Sequence, residues 1–288
     1  MNEKLKSVKI FIPSKNRLEN EKTYKILLDL GLEPNLVLEP QEEEKAKSLG
    51  FKYVLLPDNN RGITYARNFI LDYCIENNIE FAAMLDDDIS NFLEIVDHKR
   101  VFDENKAFLK ALEKFLEFKY CGTMQYNQFA WCQEKPIAYN RGLEVVFFLY
   151  IPHLTNIRFE EDTIEDRDFS IDLIVNHKKP TFRLNHLAFT VPSIGTNKGG
   201  IESSTRYQKQ IEWSKKMEKK WGSDICKYVI KKNGTPDIKI NWRTIDKIIK
   251  RDKESIFVEN KTEHKESLPK QLQFEFMYDL QKQSQTQL

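Results

Sequence analysis

The sequence lacks several features that mark common classes of protein. Its four cysteines are scattered, with no C-x-x-C pair of the kind that structural zinc sites and thiol redox centres use. No segment approaches the roughly 18 to 20 uninterrupted apolar residues that a membrane-spanning helix needs. No apolar signal region precedes the first strand pattern, and no internal repeat is visible. We therefore expect reduced thiols and a cytoplasmic protein.

A strong overall charge is also missing, because 45 Lys and Arg residues face 44 Asp and Glu residues in a chain of 288. The distribution is nevertheless uneven, since residues 198–251 hold 15 Lys and Arg against 6 Asp and Glu. Such a surplus indicates an anionic partner for the later part of the chain, and a solvated basic helical face is the alternative. The length allows one main domain with an appendage.

Apolar strand patterns alternate with helical patterns in the amino-terminal part of the chain. The predicted strands are 8–12, 35–38, 53–56 and 81–85, and the predicted helices are 23–30, 42–48 and 63–75. This alternation favours an α/β fold with a mostly parallel sheet flanked by helices.

The later part of the chain has a looser pattern. It predicts helices at 106–119 and 169–176, strands at 145–150 and 181–191, and a basic helix at 203–220. In that basic helix, Trp213, Met217 and Trp221 recur at helical spacing, which favours core packing over a strip for base stacking. The polar tail after about residue 252 is expected to be partly disordered, with a short helix near 274–280.

Ligands of parallel α/β sheets bind outside the carboxyl ends of the strands. This rule selects residues 13–17, Glu39, residues 58–62 and residues 86–88. We expect one crevice to hold all four.

Three consecutive aspartates, Asp86, Asp87 and Asp88, follow the most apolar of these strands. Adjacent carboxylates repel each other unless a cation lies among them, and Mg²⁺ or Mn²⁺ prefers such oxygen ligands together with substrate phosphates. The alternative is an exposed turn in which Asp88 or Ser90 caps a following helix.

Basic and acidic side chains elsewhere in the sequence suit the same chemistry. Lys15, Arg17 and Arg67, with Asn68 beside it, can contact a diphosphate, although each is also compatible with a plain surface position. Residues 160–168 form a second acidic cluster that precedes a predicted helix. This cluster either supplies a carboxylate base or only favours the start of the helix, and the residues alone leave both readings open.

Four motifs carry a family resemblance: residues 12–17 (I-P-S-K-N-R), 62–68 (G-I-T-Y-A-R-N), 84–89 (M-L-D-D-D-I) and 165–169 (E-D-R-D-F). They resemble the successive motifs of GT-A glycosyltransferases. Within that class they are most similar to the TET/JBP-associated glycosyltransferases, which occur largely in bacteriophages and are implicated in glycosylating hydroxymethylated pyrimidines in DNA. The resemblance covers roughly residues 8–200.

The resemblance implies a GT-A-like, Rossmann-related fold and a metal site of the DxD type at Asp86 and Asp88, with Asp87 between them. It implies that Asp166 is the catalytic base and that His186 is a candidate further metal ligand, for which a structural role in a strand is the alternative. The expected donor is a nucleotide-diphosphate sugar, with a UDP-sugar favoured, and the expected cofactor is Mg²⁺ or Mn²⁺. The residues expected to bind the donor are Pro13, Ser14, Lys15, Arg17, Glu39, Arg67, Asn68, Asp86 and Asp87.

These expectations define an organisation for the whole chain. Residues 1–200 would form the catalytic domain, 201–251 a basic, mainly helical extension that contacts the acceptor or DNA, and 252–288 a polar tail. The Gly-containing loop 195–200 either closes over a substrate or is a plain turn. If the gene is viral, the protein acts in the host cytoplasm, on duplex DNA with hydroxymethylated pyrimidines.

Two other functions remain compatible with the sequence. A nucleotidyltransferase also places carboxylates and a metal beside a nucleotide, but it releases pyrophosphate. A nucleic-acid-binding module without catalytic activity would use the aspartate triplet only structurally.

Overall fold

Strands and helices alternate along the chain in a computed structural model, which describes residues 3–192 and 203–256. The helices are α1 (Lys22–Asp29), α2 (Glu43–Ser48), α3 (Ile63–Glu76), α4 (Ala107–Phe118), α5 (Asn127–Ala130), α6 (Glu165–Val175), α7 (Ser203–Trp221) and α8 (Trp242–Ile256). The strands of the large sheet are β1 (Lys9–Pro13), β2 (Pro34–Leu38), β3 (Tyr53–Leu55), β4 (Phe81–Leu85), β5 (Asn91–Val96), β6 (Lys99–Val101), β7 (Cys121–Tyr126), β8 (Ile137–Tyr139), β9 (Val146–Tyr150) and β10 (Thr181–Thr190). A separate hairpin consists of β11 (Cys226–Ile230) and β12 (Pro236–Ile240).

The large sheet has the strand order β3-β2-β1-β4-β9-β7-β10-β5-β6, with β8 paired to β10. Its first half, β3-β2-β1-β4, is parallel throughout, as the alternating pattern predicts. The second half is mixed, because β9 runs antiparallel to β4 and β5 runs antiparallel to β10. The α/β class is therefore confirmed, and the parallel half brings the ends of four strands to one edge.

Strand β4 is buried along its whole length and divides the core into two layers. Ala83 and Leu85 face the layer covered by α1 and α4, whereas Ala82 and Met84 face the layer covered by α3. Because both faces are packed, the strand reads as an apolar run without polar alternation. It delivers the aspartate triplet at the carboxyl edge of the sheet.

Three elements differ from the sequence-based prediction. Helix α6 begins at Glu165 and not at residue 169, so the acidic residues form its first turn. The segment after the triplet is the hairpin β5–β6, whose turn residues Asp97 and His98 have positive φ angles. The extension predicted as mainly helical contains the hairpin β11–β12 between α7 and α8.

We name residues 203–256 the C-terminal unit. Its apolar side chains pack against α6 in a small core of its own, made of Ile171, Ile174, Met217, Cys226, Ile238 and Ile245. Trp221 lies at the edge of this core, which supports the packing role predicted for Met217 and Trp221. None of the helices among the described residues has the length and apolar character needed to cross a membrane. The loop 195–200 and the helix predicted near 274–280 lie outside the described residues.

His153 gives the fold a pH dependence that can be measured. Its ring lies between Tyr120 and Tyr150, with centroid distances of 5.6 and 4.8 Å, and burial with the nearby charge of Lys179 lowers its pKa to about 4. The folded state therefore favours neutral histidine. This stability is fully present above the unfolded pKa of about 6.5 and is lost as the pH falls toward 4.

We expect wild-type protein to lose about 2 kcal/mol more unfolding free energy than His153→Gln between pH 7.5 and 4.5, after allowance for partial exposure. Urea unfolding at the two pH values measures the difference. His98→Gln, in the exposed β5–β6 turn, is the control and should follow wild type. Equal pH dependence of wild type and His153→Gln would contradict the assignment.

Candidate active site

The carboxyl end of β1 delivers Ser14 and Arg17 to the aspartate triplet. Ser14 Oγ lies 2.9 Å from Asp87 Oδ2, and Arg17 Nη1 lies 2.5 Å from Asp87 Oδ1. Ser14 also hydrogen-bonds with Glu21, whose pKa burial raises to about 8. When Glu21 is protonated, its O–H can donate to Ser14 Oγ, and the Ser14 hydroxyl group can then donate to Asp87. Both oxygens of Asp87 therefore contact other side chains of the protein. Pro13, the residue before Ser14, is the last residue of β1.

The ends of β2 and β3 meet the same loop through Lys15. Its Nζ lies 2.8 Å from Glu39 Oε1 and 2.7 Å from Asn60 Oδ1. The backbone N–H of Asn60 also donates to Glu39, at 2.8 Å. The four segments selected from the sequence therefore converge on one edge of the sheet, as predicted.

The backbone of the triplet is fixed from two sides. Thr23 Oγ1 donates to the Asp86 carbonyl oxygen at 2.7 Å and accepts from the backbone N–H of Ile89 at 2.9 Å. On the other side, the Asp86 N–H donates to the Val145 carbonyl oxygen at 3.0 Å. Val145 has a φ of 61°, which costs a β-branched residue about 1–3 kcal/mol. The strained residue is the one whose carbonyl group binds the Asp86 N–H.

The capping alternative for the triplet is wrong. The chain enters strand β5 after Ser90, so no helix follows that Asp88 or Ser90 can cap. Ser90 instead joins the sheet, because its N–H donates to the Thr190 carbonyl oxygen at 2.8 Å.

Arg67 joins the triplet to the second acidic cluster. Its Nη2 lies 3.2 Å from Asp86 Oδ1 and its Nη1 lies 2.9 Å from Glu165 Oε1. The guanidinium carbon lies 4.7 Å from the ring centroid of Phe147 and 5.6 Å from that of Phe159. With only 5% of its side chain exposed, Arg67 is a buried bridge between the two groups of carboxylates.

The next residue, Asn68, holds the chain that leads into α6. Its Nδ2 donates to the Phe159 carbonyl oxygen at 2.9 Å, and its Oδ1 accepts from the Phe159 N–H at 2.8 Å. Both ends of the amide are therefore in use by the backbone. A contact of Arg67 or Asn68 with a bound ligand stays a prediction.

Asp166 and Asp168 lie in the first turn of α6 but have different environments. Asp166 is partly exposed, and its Oδ1 accepts the backbone N–H of Arg167 at 2.7 Å. Asp168 is buried and accepts from Trp221 Nε1 at 2.7 Å and Lys220 Nζ at 2.8 Å. Of the two, Asp166 is the one that remains accessible for proton transfer.

Glu144 is a further carboxylate beside Asp166 that the sequence does not reveal. Burial raises its pKa, the charge of Asp166 adds to the effect, and the Tyr126 hydroxyl donates to it. Arg167 Nε lies 3.8 Å from Glu144 Oε1. Glu144 lies in a stretch where strand periodicity is weak, so no pattern marks it.

The triplet has the chemistry of a divalent cation site. Burial raises the pKa of Asp86 to about 7, with repulsion from Asp88, Asp87 and Asp166 adding to this and Arg67 opposing it. A cation would relieve that repulsion. Hard carboxylate oxygens suit Mg²⁺ or Mn²⁺, which needs only one or two of them beside substrate phosphates.

His186 does not complete a larger ligand set. His186 lies on strand β10, and its Nε2 is 2.9 Å from the Gln133 carbonyl oxygen. Within residues 3–192 and 203–256, no group of three or more His, Cys, Asp or Glu side chains is arranged to hold a metal. A two-carboxylate site at Asp86 and Asp88 fits this arrangement, and the metal role of His186 stays a prediction.

A family model of the TET-associated glycosyltransferases matches residues 8–200, which is more than half of the chain and includes all four sequence motifs. The chain belongs to the TET-associated glycosyltransferase family. The resemblance seen in the motifs is thereby confirmed. The family match ends before α7, so the C-terminal unit lies beyond it. Comparison with curated proteins gives no match.

Three solved structures have low sequence identity and low TM-scores to this family member. A protein from STIV is 20% identical, with 63% of this chain and 83% of that chain covered and a TM-score of 0.36. A CMP:2-keto-3-deoxy-manno-octonic acid synthetase complexed with CTP is 10% identical, with 70% and 95% covered and a TM-score of 0.40. A nucleotide-diphospho-sugar transferase from Desulfovibrio desulfuricans is 9% identical, with 85% and 97% covered and a TM-score of 0.40. We draw no functional conclusion from similarities at this level.

Proposed function

We propose that this glycosyltransferase moves a hexose from a nucleotide-diphosphate sugar, with a UDP-sugar favoured, to the hydroxyl group of 5-hydroxymethylpyrimidine bases in phage DNA. The observation that supports this most is the buried bridge through Arg67. It joins Asp86, a candidate metal ligand, to Glu165, the residue directly before the candidate base Asp166. Donor activation and acceptor deprotonation can therefore take place in one site.

On the donor side, Asp86 and Asp88 would hold Mg²⁺ or Mn²⁺, which supplies charge neutralisation to a departing nucleoside diphosphate. Lys15 and Arg17 leave the neighbouring strand end and add positive charge toward the same diphosphate. Glu39 lies at the end of β2, where it can meet the nucleoside. Ser14 and Asp87 keep this loop and the triplet together.

On the acceptor side, Asp166 takes the proton from the acceptor hydroxyl group. The hydroxyl oxygen forms a bond to the anomeric carbon, and the bond from that carbon to the diphosphate oxygen breaks. The electron pair of the broken bond leaves with the nucleoside diphosphate, and the displacement inverts the anomeric configuration. Asp166 lies in the first turn of α6 and is partly exposed, so its carboxylate can be reached by an acceptor hydroxyl group.

The C-terminal unit provides a surface for the DNA backbone. Its exposed basic residues include Lys209, Lys215, Lys219, Lys227, Lys232, Lys239, Arg243, Lys247 and Lys250. Contacts of this kind release counterions, so binding should weaken steeply with salt. The target base must leave the duplex stack to reach Asp166.

A donor-hydrolysis panel tests the proposal. Purified protein is incubated with Mn²⁺ or Mg²⁺ and UDP- or GDP-linked sugars, with and without hydroxymethylpyrimidine DNA, and the released nucleoside diphosphate and pyrophosphate are measured. We expect nucleoside diphosphate, stimulated by modified DNA. Asp88→Asn should lower the rate by about a hundredfold or more, because a metal contributes several kcal/mol to charge stabilisation.

Asp97→Asn is the matched control, since Asp97 is an exposed aspartate in the β5–β6 turn, and its rate should equal that of wild type. Release without stimulation by DNA would keep the transferase and overturn the DNA acceptor. Release of pyrophosphate would point to a nucleotidyltransferase. The absence of release with every donor would overturn the proposal.

A further inference from the structure

The C-terminal unit contacts the catalytic domain beside the candidate base. Arg167, the residue after Asp166, reaches β12, where its Nη1 lies 2.7 Å from Asp237 Oδ1 and 3.1 Å from the Ile238 carbonyl oxygen. The backbone N–H of the same Arg167 donates to Asp166 Oδ1 at 2.7 Å. A chain of contacts thus runs from Asp237 through Arg167 to Asp166.

The unit also holds Asp168, two residues after Asp166. Trp221 Nε1 and Lys220 Nζ, both from the end of α7, donate to the two oxygens of this carboxylate. Asp168 is 2% exposed, so without these partners it would be a buried charge with no compensation. The C-terminal unit therefore holds the first turn of α6 through the two residues that follow Asp166.

A second set of contacts joins α8 to the segment that precedes Glu144. Arg141 Nη1 lies 3.2 Å from Asp246 Oδ2 of α8. Gly142 lies against Trp242, and a Cβ atom at this position would be 3.1 Å from the indole ring. This segment leads directly to Glu144 and Val145, and the Val145 carbonyl binds the Asp86 N–H.

We infer that the C-terminal unit is a positioning element of the active site, which sets the orientation of Asp166 through Arg167 and Asp168. The inference rests on the proposed role of Asp166 as the base. It gives the part of the chain beyond the family match a function in catalysis, in addition to any contact with DNA. A displacement of about 1 Å in a reacting group can lower the rate roughly a hundredfold. Loss of the Arg167 or the Asp168 contact with the unit should therefore lower kcat measurably.

The test uses Asp237→Asn, which removes the charged partner of Arg167, and Asp237→Glu, which keeps it. We expect Asp237→Asn to lower kcat for transfer roughly tenfold to a hundredfold, with the donor KM within about twofold, and Asp237→Glu to restore most of the rate. The matched control is Glu212→Gln. Glu212 is an exposed acid of the same unit, bonded to Gln208 within α7, and its loss should leave kcat unchanged.

The variants are then combined with Asp166→Asn. If Asp237 acts through Asp166, the double variant should be no slower than Asp166→Asn alone. Equal losses from Asp237→Asn in both backgrounds, or a lower melting temperature with unchanged kcat, would overturn the inference and leave the proposed function standing. Full activity of Asp166→Asn would overturn the base assignment and the positioning role together.

Discussion

Asp166→Asn is expected to lower kcat for glycosyl transfer by about 10² to 10⁴, the usual contribution of a positioned general base. The amide keeps the size of the side chain and its acceptor oxygen, so the Arg167 N–H remains bonded and the donor KM should change little. Steady-state kinetics with saturating acceptor measure the loss. The melting temperature should stay near that of wild type, because Asp166 is partly exposed.

Asp162→Asn is the matched control for this variant. Asp162 belongs to the same acidic cluster, is exposed, and has a φ of 56°, a conformation that asparagine adopts readily. Its kcat should equal that of wild type. Comparable losses in the two variants would show that the net charge of the cluster, and not a base at Asp166, supports the reaction.

Arg67→Met should lower the unfolding free energy by about 2–4 kcal/mol, because it removes a buried cation and leaves the partly buried carboxylates of Asp86 and Glu165 without their partner. The deficit should be largest above pH 7 and smaller at pH 5. Burial raises the pKa of both carboxyl groups, so a fall in pH neutralises them sooner than ordinary carboxyl groups and reduces the need for the Arg67 charge. In the variant, the stability that depends on neutral carboxyl groups is lost as the pH rises. Chemical denaturation at the two pH values measures both effects.

The control for Arg67 is Lys52→Met, which removes the partner of Glu33 in an exposed ion pair. Exposed pairs of this kind contribute about 0–1 kcal/mol, so this variant should be nearly as stable as wild type. A deficit of similar size in both variants, or one that grows at low pH, would contradict the role of Arg67 as a buried bridge.

The convergence of the four strand-end segments on one edge could be predicted from sequence because it depends on short-range signals. Strand β4 is an apolar run that ends in three aspartates, and the rule for strand ends then places residues 13–17, Glu39 and residues 58–62 beside it. The contacts of Lys15 with Glu39 and of Arg17 with Asp87 follow directly from this topology.

The surroundings of Asp166 depend on long-range packing that no local pattern records. Glu144 reaches the site through a strained turn at Val145, and positive φ at a β-branched residue has no sequence signature. The sequence predicts the start of α6 four residues too late, because Glu165 and Asp166 are polar and the apolar pattern begins only at Phe169. The hydrogen bond from Trp221 to Asp168 joins positions 53 residues apart, and the basic composition of α7 does not indicate it.

If one site transfers a hexose to a DNA base, the sugar must appear on the DNA, so analysis of the DNA product is the most direct test. Hydroxymethylpyrimidine DNA is incubated with the UDP-sugar and Mn²⁺, digested to nucleosides and examined by mass spectrometry. We expect a hydroxymethylpyrimidine nucleoside heavier by one hexose with wild type and Asp97→Asn, and no such product with Asp88→Asn or Asp166→Asn. Unmodified nucleosides from a wild-type reaction that consumes the donor, or equal product from all four proteins, would contradict the proposed transfer.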